Sequence, residues 1–317
     1  MIYAPILIPT LNRINHLQRC IASLQKNAWA QFTPLIISVD YPPESRYYEG
    51  YRKVCEYLKE GIDGFASVDI IYQKDNLGLV ANYQFLKDYS KERYDRYIYA
   101  EDDIEMSPNF IEYIDKGLEI FQYDDRVIAV CSSEAVGCCE NDDGNVVLSH
   151  NFSAHGYGGW HTKDKEILGK NITRKCFLNI AGKSKNIFKL YKYDYELVFA
   201  LQHAIYRDMN LYQLPDGEIP IIDMTIKIYT VLNDKYVVCP KLQKSRNWGY
   251  DGSGVNCLLN EKNNPNAVAI DQRIEFTYCY TEPMEKNSIS RKRNMEIELR
   301  ILIAFLKLKM WLLFIKN

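Results

Sequence analysis

Five short runs rich in Ile, Val and Tyr, at 5–8, 35–39, 68–72, 97–100 and 127–131, punctuate the first half of the chain. The segments between them carry apolar residues at helical spacing. Strand-length runs alternating with helix-length segments require crossover connections. The chain is therefore predicted to be α/β, with a mostly parallel central sheet flanked by helices. Ile14, Leu17, Ile21 and Leu24 recur at steps of three and four, which predicts a helix after the first strand with Asn12 as its N-cap. The same periodicity predicts helices near 46–59, 78–89 and 108–121. At 317 residues and 47% apolar, the chain can bury one large core, or a core plus a small appendage.

The pattern changes after Ser133. "ENDDGN" at 140–145 reads as a hairpin or loop, and "HGYGGW" at 155–160 as a place of close backbone packing. Helical segments are expected near 184–212 and 223–232, a strand at 236–239, and an irregular Gly- and Asn-rich stretch from 245 to 266. There is no GxGxxG and no GxxxxGK[ST], which removes the usual dinucleotide and P-loop readings. A formal net charge of −2 gives no footprint for nucleic acid. Nine cysteines without a CxxC spacing fit free thiols in a reducing compartment. The opening residues read as a strand without a secretory leader, so the expected location is the cytoplasm, where the Asn151 and Asn171 glycosylation triplets carry no meaning.

In open parallel sheets, ligands bind at the carboxyl ends of the strands. Polar residues just after each apolar run are thus the candidates: Pro9, Thr10, Asn12 and Arg13, then Asp40, then Asn76 and Gly78, then Glu101, Asp102 and Asp103. The acidic triplet is the sharpest feature. Three carboxylates at one strand mouth repel each other unless a cation is present, and a divalent metal resolves the repulsion. Mg²⁺ or Mn²⁺ held by one or two carboxylates keeps positions open for phosphate oxygens, which suits a nucleoside diphosphate leaving group. The plain alternative is a solvated acidic turn capping the helix at Pro108.

The segments "PILIPTLNRINHLQRCIASL", "LIISVD" and "YAEDDIEMSPNFIEYI" together resemble the inverting GT-A glycosyltransferases. Both the bacterial family-2 enzymes and the animal N-acetylglucosaminyltransferases that begin complex N-glycans are similar. The third segment resembles the family's metal-binding DxD strand and the helix after it. The resemblance implies a Rossmann-like GT-A fold, with Asp103 as the metal ligand and with Glu101 and Asp102 holding the nucleotide-sugar. Pro9, Thr10, Arg13 and Asp40 would then surround base and ribose. The resemblance extends from about residue 4 to 257.

The later half is similar through "HGYGGW" and "IIDMTIKIYTVLNDKYVVCPKLQKSRNWGYDGSG", where Asp223 falls at the family's catalytic base. Inversion needs a carboxylate opposite the departing diphosphate to take the proton of the attacking hydroxyl. A helix N-terminus favours that carboxylate's ionised form, although Asp223 also reads as an ordinary N-cap. Many bacterial relatives carry His where this chain has Asn256. The amide oxygen of Asn256 is a weaker metal ligand than imidazole, which leaves metal assistance there in doubt. Arg246, Asn247 and Trp248 are placed facing the diphosphate or acceptor, or else on a surface loop. Trp160 is placed either stacked on an acceptor sugar or in the core. His150, His155, His161 and His203 show no metal-ligand spacing, and none is assigned a role.

Residues 291–317 hold two apolar runs broken by Lys307 and Lys309, too short to span a bilayer, which takes ~20 apolar residues. Arg293, Glu296, Arg300 and Lys307 share one helical face, and Phe305, Trp311 and Phe314 supply apolar bulk. The expected structure is an amphipathic C-terminal helix lying on an anionic membrane surface, or packed on the core or in an oligomer interface. The sequence reading is thus a donor half (1–133), an acceptor and catalytic half (134–288) and a membrane-contact tail (289–317). The activity expected is metal-dependent, inverting transfer from a nucleotide-sugar, UDP-linked, to a saccharide or lipid-linked saccharide in bacterial surface polysaccharide synthesis, peripheral on the inner face of the plasma membrane. The alternatives are a sugar-nucleotidyltransferase, which should carry a Gly- and Arg-rich loop where "PTLNR" stands, and a catalytically inactive saccharide-binding GT-A protein.

Overall fold

The computed structural model describes residues 3–135, 145–167, 179–180, 183–194, 197–198, 201, 222–253 and 268–280. Asn256, His203, most of 140–145 and the tail from 281 onward lie outside the described residues. The chain divides into two compact units: Met1–Ser149 with Ser153–Lys163 and Val237–Pro283, and His150–Phe152 with Asp164–Tyr236 and Met284–Asn317.

The first unit begins with β1 (Ile6–Thr10), α1 (Ile14–Gln25), β2 (Pro34–Val39), α2 (Tyr48–Lys59), β3 (Ser67–Tyr72), α3 (Gly78–Lys91) and β4 (Arg96–Tyr99). It continues with β5 (Ile104–Met106), α4 (Phe110–Ile120), β6 (Val127–Cys131), β7 (Val146–Ser149) and β8 (Tyr157–Trp160). An eight-stranded sheet has the order β3-β2-β1-β4-β8-β6-β9-β7, where β9 is Tyr236–Pro240. β1 pairs in parallel with β2 and β4, and β2 with β3. β8 is antiparallel to both β4 and β6, so β6 runs with the parallel group. The fold is α/β with a large, mostly parallel central sheet flanked by helices, as the alternating pattern requires.

β1, β4 and β6 are buried at every position, and the edge strand β3 at none. Near-continuous apolar runs are what a parallel strand covered on both faces needs. α1 buries Leu17, Cys20, Ile21 and Leu24 at helical spacing, as expected. Its cap differs from the sequence reading: the N-cap is Arg13, without a side-chain cap bond, in place of Asn12. Arg13 turns its guanidinium away toward the acidic turn, and the Asn12 carbonyl instead packs under α2. A Cβ at Gly50 would stand 2.3 Å from that carbonyl oxygen, so only glycine permits the approach.

"HGYGGW" does pack tightly. A Cβ at Gly158 would meet Ile114 at 2.4 Å, and one at Gly159 would meet the Tyr97 hydroxyl at 2.9 Å. The segment inserts as β8 between β4 and β6. The stretch from 245 is not wholly irregular, because Ser245–Asn247 forms β10, antiparallel to β5. This two-stranded ribbon lies directly after the acidic triplet.

The second unit contains most of α5 (His161–Ile167), together with α6 (Ser184–Tyr193) and α7 (Ile222–Asn233). Lys189 on α6 donates to the Leu232 carbonyl and to Asp234 at 3.3 and 2.7 Å. Lys227 on α7 pairs with Asp194 at 3.3 Å. These contacts hold α6 against α7. No helix among the described residues is long and apolar enough to cross a membrane.

Candidate active site

β1 connects onward to β2 on one side, while β4 lies on the other, so the crevice at their carboxyl ends is a topological switch point. Thr10 ends β1 and Arg13 follows it. Asp102 and Asp103 follow β4. Parallel pairing of Ile6 with Ile98 and Leu7 with Tyr99 fixes the two ends side by side, and the four side chains meet there. Thr10 Oγ1 donates to Asp102 Oδ2 at 2.7 Å. Arg13 donates through one guanidinium nitrogen to Asp102 Oδ1 and through the other to Asp103 Oδ2, the latter at 2.8 Å.

Arg13 therefore changes the charge argument made from the triplet. Its guanidinium already neutralises part of the repulsion that a metal was expected to resolve. Burial acts to lower the Arg13 pKa, but the charges of Asp102 and Asp103 and their hydrogen bonds outweigh it and raise the pKa. Burial raises the Asp102 pKa, with the Asp103 charge adding to the rise and Arg13 and Thr10 opposing it. Two acids facing one guanidinium leave the cluster with a net negative charge.

Asp102 has both oxygens bonded, but Asp103 does not. Asp103 is 8% exposed, and its Oδ1 is buried without a hydrogen-bond partner. An unpaired buried carboxylate oxygen is costly, and a cation satisfies it. The residues thus fit a divalent ion that takes one protein carboxylate and fills its other positions with water and phosphate oxygens. Among the described residues no group of three or more His, Cys, Asp and Glu is arranged to hold a metal ion. The backbone N–H of Trp248 donates to the Asp103 carbonyl at 2.9 Å. Gly249 lies flush on its carboxylate, where a Cβ would stand 2.3 Å from Oδ2.

Asp40 is placed differently from a free ribose contact. Its Oδ1 accepts from the N–H groups of Tyr41 and Leu77 at 2.9 and 2.8 Å. Its Oδ2 accepts from Gly78 N–H at 2.9 Å and Asn76 Nδ2 at 3.1 Å. Both oxygens are thus committed to capping α3, which has no local side-chain cap. Burial raises the Asp40 pKa, and the backbone bonds from Leu77, Tyr41 and Gly78 pull it back. Gly78 sits at φ 74°, in the left-handed region that favours glycine. Asp40, Asn76 and Gly78 come together as a rigid turn at the ends of β2 and β3.

On the ribbon beside Asp103, the Arg246 guanidinium lies 3.9 Å from the Trp248 ring centroid and that of Arg19 lies 4.3 Å from it. The indole N–H donates to Glu105 at 2.8 Å. Asn247 is buried and accepts from Gly249 N–H. Pro9 is buried within β1, opposite Ser38. Glu101 is half-buried, and its carbonyl accepts from the Cys20 thiol. Trp160 lies apart from these residues. Its ring is 3% exposed, its N–H donates to the Leu118 carbonyl at 3.2 Å, and Lys163 sits over it. That is the packing of a core residue. Asp223 lies in the first turn of α7 in the second unit.

Two histidines, His16 and His155, interact with residues of this region. His16 on α1 bonds Asp251 at 2.9 Å, tying α1 to the turn after Trp248. His155 feels the charge of Asp103, which acts against the burial that lowers the imidazole pKa. Neither relationship follows a sequence spacing, because each joins segments brought together only by the sheet.

No protein-family model and no curated protein matches the chain. Among solved structures it is similar to TarS of S. aureus, at 9% identity and a TM-score of 0.36, over 51% of this chain. It spans 29% of that chain. A likeness at that level says nothing about activity.

Proposed function

We propose that the chain is a metal-dependent, inverting glycosyltransferase acting on a nucleotide-sugar, UDP-linked, at the crevice between β1 and β4. The observation that carries this reading is the unpartnered Asp103 Oδ1, buried at the switch point of an α/β sheet beside Asp102, Thr10 and Arg13. Asp103 would hold Mn²⁺ or Mg²⁺, and such an ion offsets the charge that develops on the departing diphosphate. Thr10, Arg13, Glu101 and Asp102 shape the floor under the diphosphate and sugar. Pro9, Asn12, Asn76 and Gly78 form the walls for base and ribose, with Asp40 bracing that wall from behind. Arg246, Asn247 and Trp248 border the same acids on the side left for the acceptor.

Asp223 is the proposed base. Its carboxylate takes the proton of the acceptor hydroxyl as that oxygen bonds the anomeric carbon and the bond to the diphosphate breaks. The acceptor is a saccharide, lipid-linked, with the tail after 288 as the contact to an anionic membrane, in surface polysaccharide synthesis. Asp223→Asn tests the chemistry. It should retain donor binding and lose transfer by ~10²-fold or more. Near-normal turnover would reduce Asp223 to a helix residue.

Arg13 favours a second reading. Because it already pairs with both acids, a protein that keeps the fold and binds saccharide without catalysis could use Arg13 in place of a metal. Thermal shifts across a panel of nucleotide-sugars separate the two. The catalytic reading expects stabilisation that requires Mn²⁺, and the second reading expects none.

A further inference from the structure

We propose that Arg19 and Arg246, gathered on the Trp248 indole, form a subsite for an oxyanion of the acceptor, so that the saccharide taken there carries a phosphate or a carboxylate. This rests on the transferase reading above, which gives Arg246, Asn247 and Trp248 the acceptor side. The Arg246 guanidinium lies over the Trp248 ring 3.9 Å from its centroid, and the Arg19 guanidinium lies over the same ring at 4.3 Å. The ring itself is fixed at two points. Trp248 backbone N–H donates to the Asp103 carbonyl at 2.9 Å, and its indole N–H donates to Glu105 at 2.8 Å. Arg246 stands opposite Glu105 in the β5–β10 pairing, while Arg19 comes from α1, so two separate elements bring their cations to one platform.

Two guanidinium groups and one carboxylate, Glu105, meet at that ring, which leaves a surplus positive charge. A guanidinium resting on a ring engages its flat face, whereas its N–H donors lie in its own plane and point outward. Arg19 is exposed and makes no hydrogen bond or ion pair with any described residue. Its fork of charged donors, steadied on the indole, matches the two oxygens of a phosphate or carboxylate. The two arginines of α1 also have separate tasks. Arg13 bonds Asp102 and Asp103, whereas Arg19 meets only Trp248. Arg19 stands six residues on, about 9 Å further along the helix axis. An oxyanion held there belongs to a part of the acceptor away from the acids and from the donor diphosphate.

The test titrates the full chain with glucose 6-phosphate, glucuronic acid and glucose, following the Trp248 indole N–H resonance, and titrates UDP with Mn²⁺ in parallel. Wild type should bind one of the charged sugars at least ~10-fold more tightly than glucose, the scale of a hydrogen bond to a charged group. Salt should erode the difference. The charged sugar preferred identifies the group as phosphate or carboxylate. Arg19→Gln, at an exposed position, should keep the fold, abolish the preference and leave UDP affinity unchanged. Equal binding of charged and neutral sugars overturns the proposal, and so does a preference that survives in Arg19→Gln. A matching loss of UDP affinity also overturns it, because the arginine then serves the donor diphosphate. Failure of the transferase reading gives a different result: donor binding indifferent to Mn²⁺ and to Asp103→Asn, with the charged-sugar preference and its loss in Arg19→Gln intact, supports the oxyanion subsite and sinks the transfer chemistry.

Discussion

Arg13 and Asp103, 90 residues apart in sequence, are joined by a 2.8 Å bond from guanidinium to carboxylate Oδ2. The same guanidinium bonds Asp102. One cation at the start of α1 therefore bonds both carboxylates, and of their oxygens Asp103 Oδ1 alone has no hydrogen-bond partner.

Arg13→Ala should destabilise the fold by roughly 3–5 kcal/mol, the scale for removing one partner of a buried pair. The two acids would then repel each other. Mn²⁺ should raise the melting temperature of this variant more than that of the wild type, because binding relieves more charge. Equal metal-induced shifts would show that the ion does not meet these carboxylates.

Asp40→Ala should uncap α3. Loss of an N-cap costs ~1 kcal/mol, and here the N–H groups of Tyr41, Leu77 and Gly78 all lose their acceptor. Amide exchange at Leu77 and Gly78 should accelerate while β1 amides stay protected. Donor affinity should fall in parallel, since the wall of the site loosens. Retained donor affinity alongside fast exchange at Leu77 would remove the 76–78 turn from the site.

Asp115 on α4 is 1% exposed and accepts one bond, from Ala4 N–H at 3.1 Å, with Oδ2 unpartnered. Burial raises its pKa from 3.8 to about 7, opposed by the Ala4 bond and by Arg96 and helped by Glu119. The folded state thus binds more protons than the unfolded state between about pH 4 and 7. Stability from this group is present at low pH and is lost as pH rises through that window, by up to ~1.4 kcal/mol per pH unit. Asp115→Asn should flatten this part of the stability profile and be more stable than wild type at pH 8. Denaturant midpoints between pH 4 and 8 measure it, and an unchanged slope would place another group behind it.

The parallel half of the sheet was legible because β1, β2, β3, β4 and β6 are single apolar runs, and local composition suffices for such strands. The insertion of β8 between β4 and β6 was not. "YGGW" has no strand-like composition, and its place depends on Gly158 and Gly159 letting Ile114 and Tyr97 approach. β5 and β10 are three residues each, below the length at which alternation is readable. At the site, the rule of strand ends points to Thr10, Arg13, Asp40, Asp102 and Asp103, but not to their pairing: Arg13 bonds both acids, and the Asp40 oxygens bond the N–H groups that open α3. The roles differ because side-chain pairing is decided by partners distant in sequence. His155 carried no spacing signal at all.

Calorimetry of UDP-sugar binding, with and without Mn²⁺, on wild type and Asp103→Asn tests the central claim most directly. The substitution keeps the shape and an oxygen but removes the charge. Wild type should bind the donor tightly only with Mn²⁺, and Asp103→Asn should lose that metal dependence with at least ~10-fold weaker binding, while melting close to wild type. Donor binding that is equally tight in both proteins, or indifferent to Mn²⁺ in the wild type, would contradict the account.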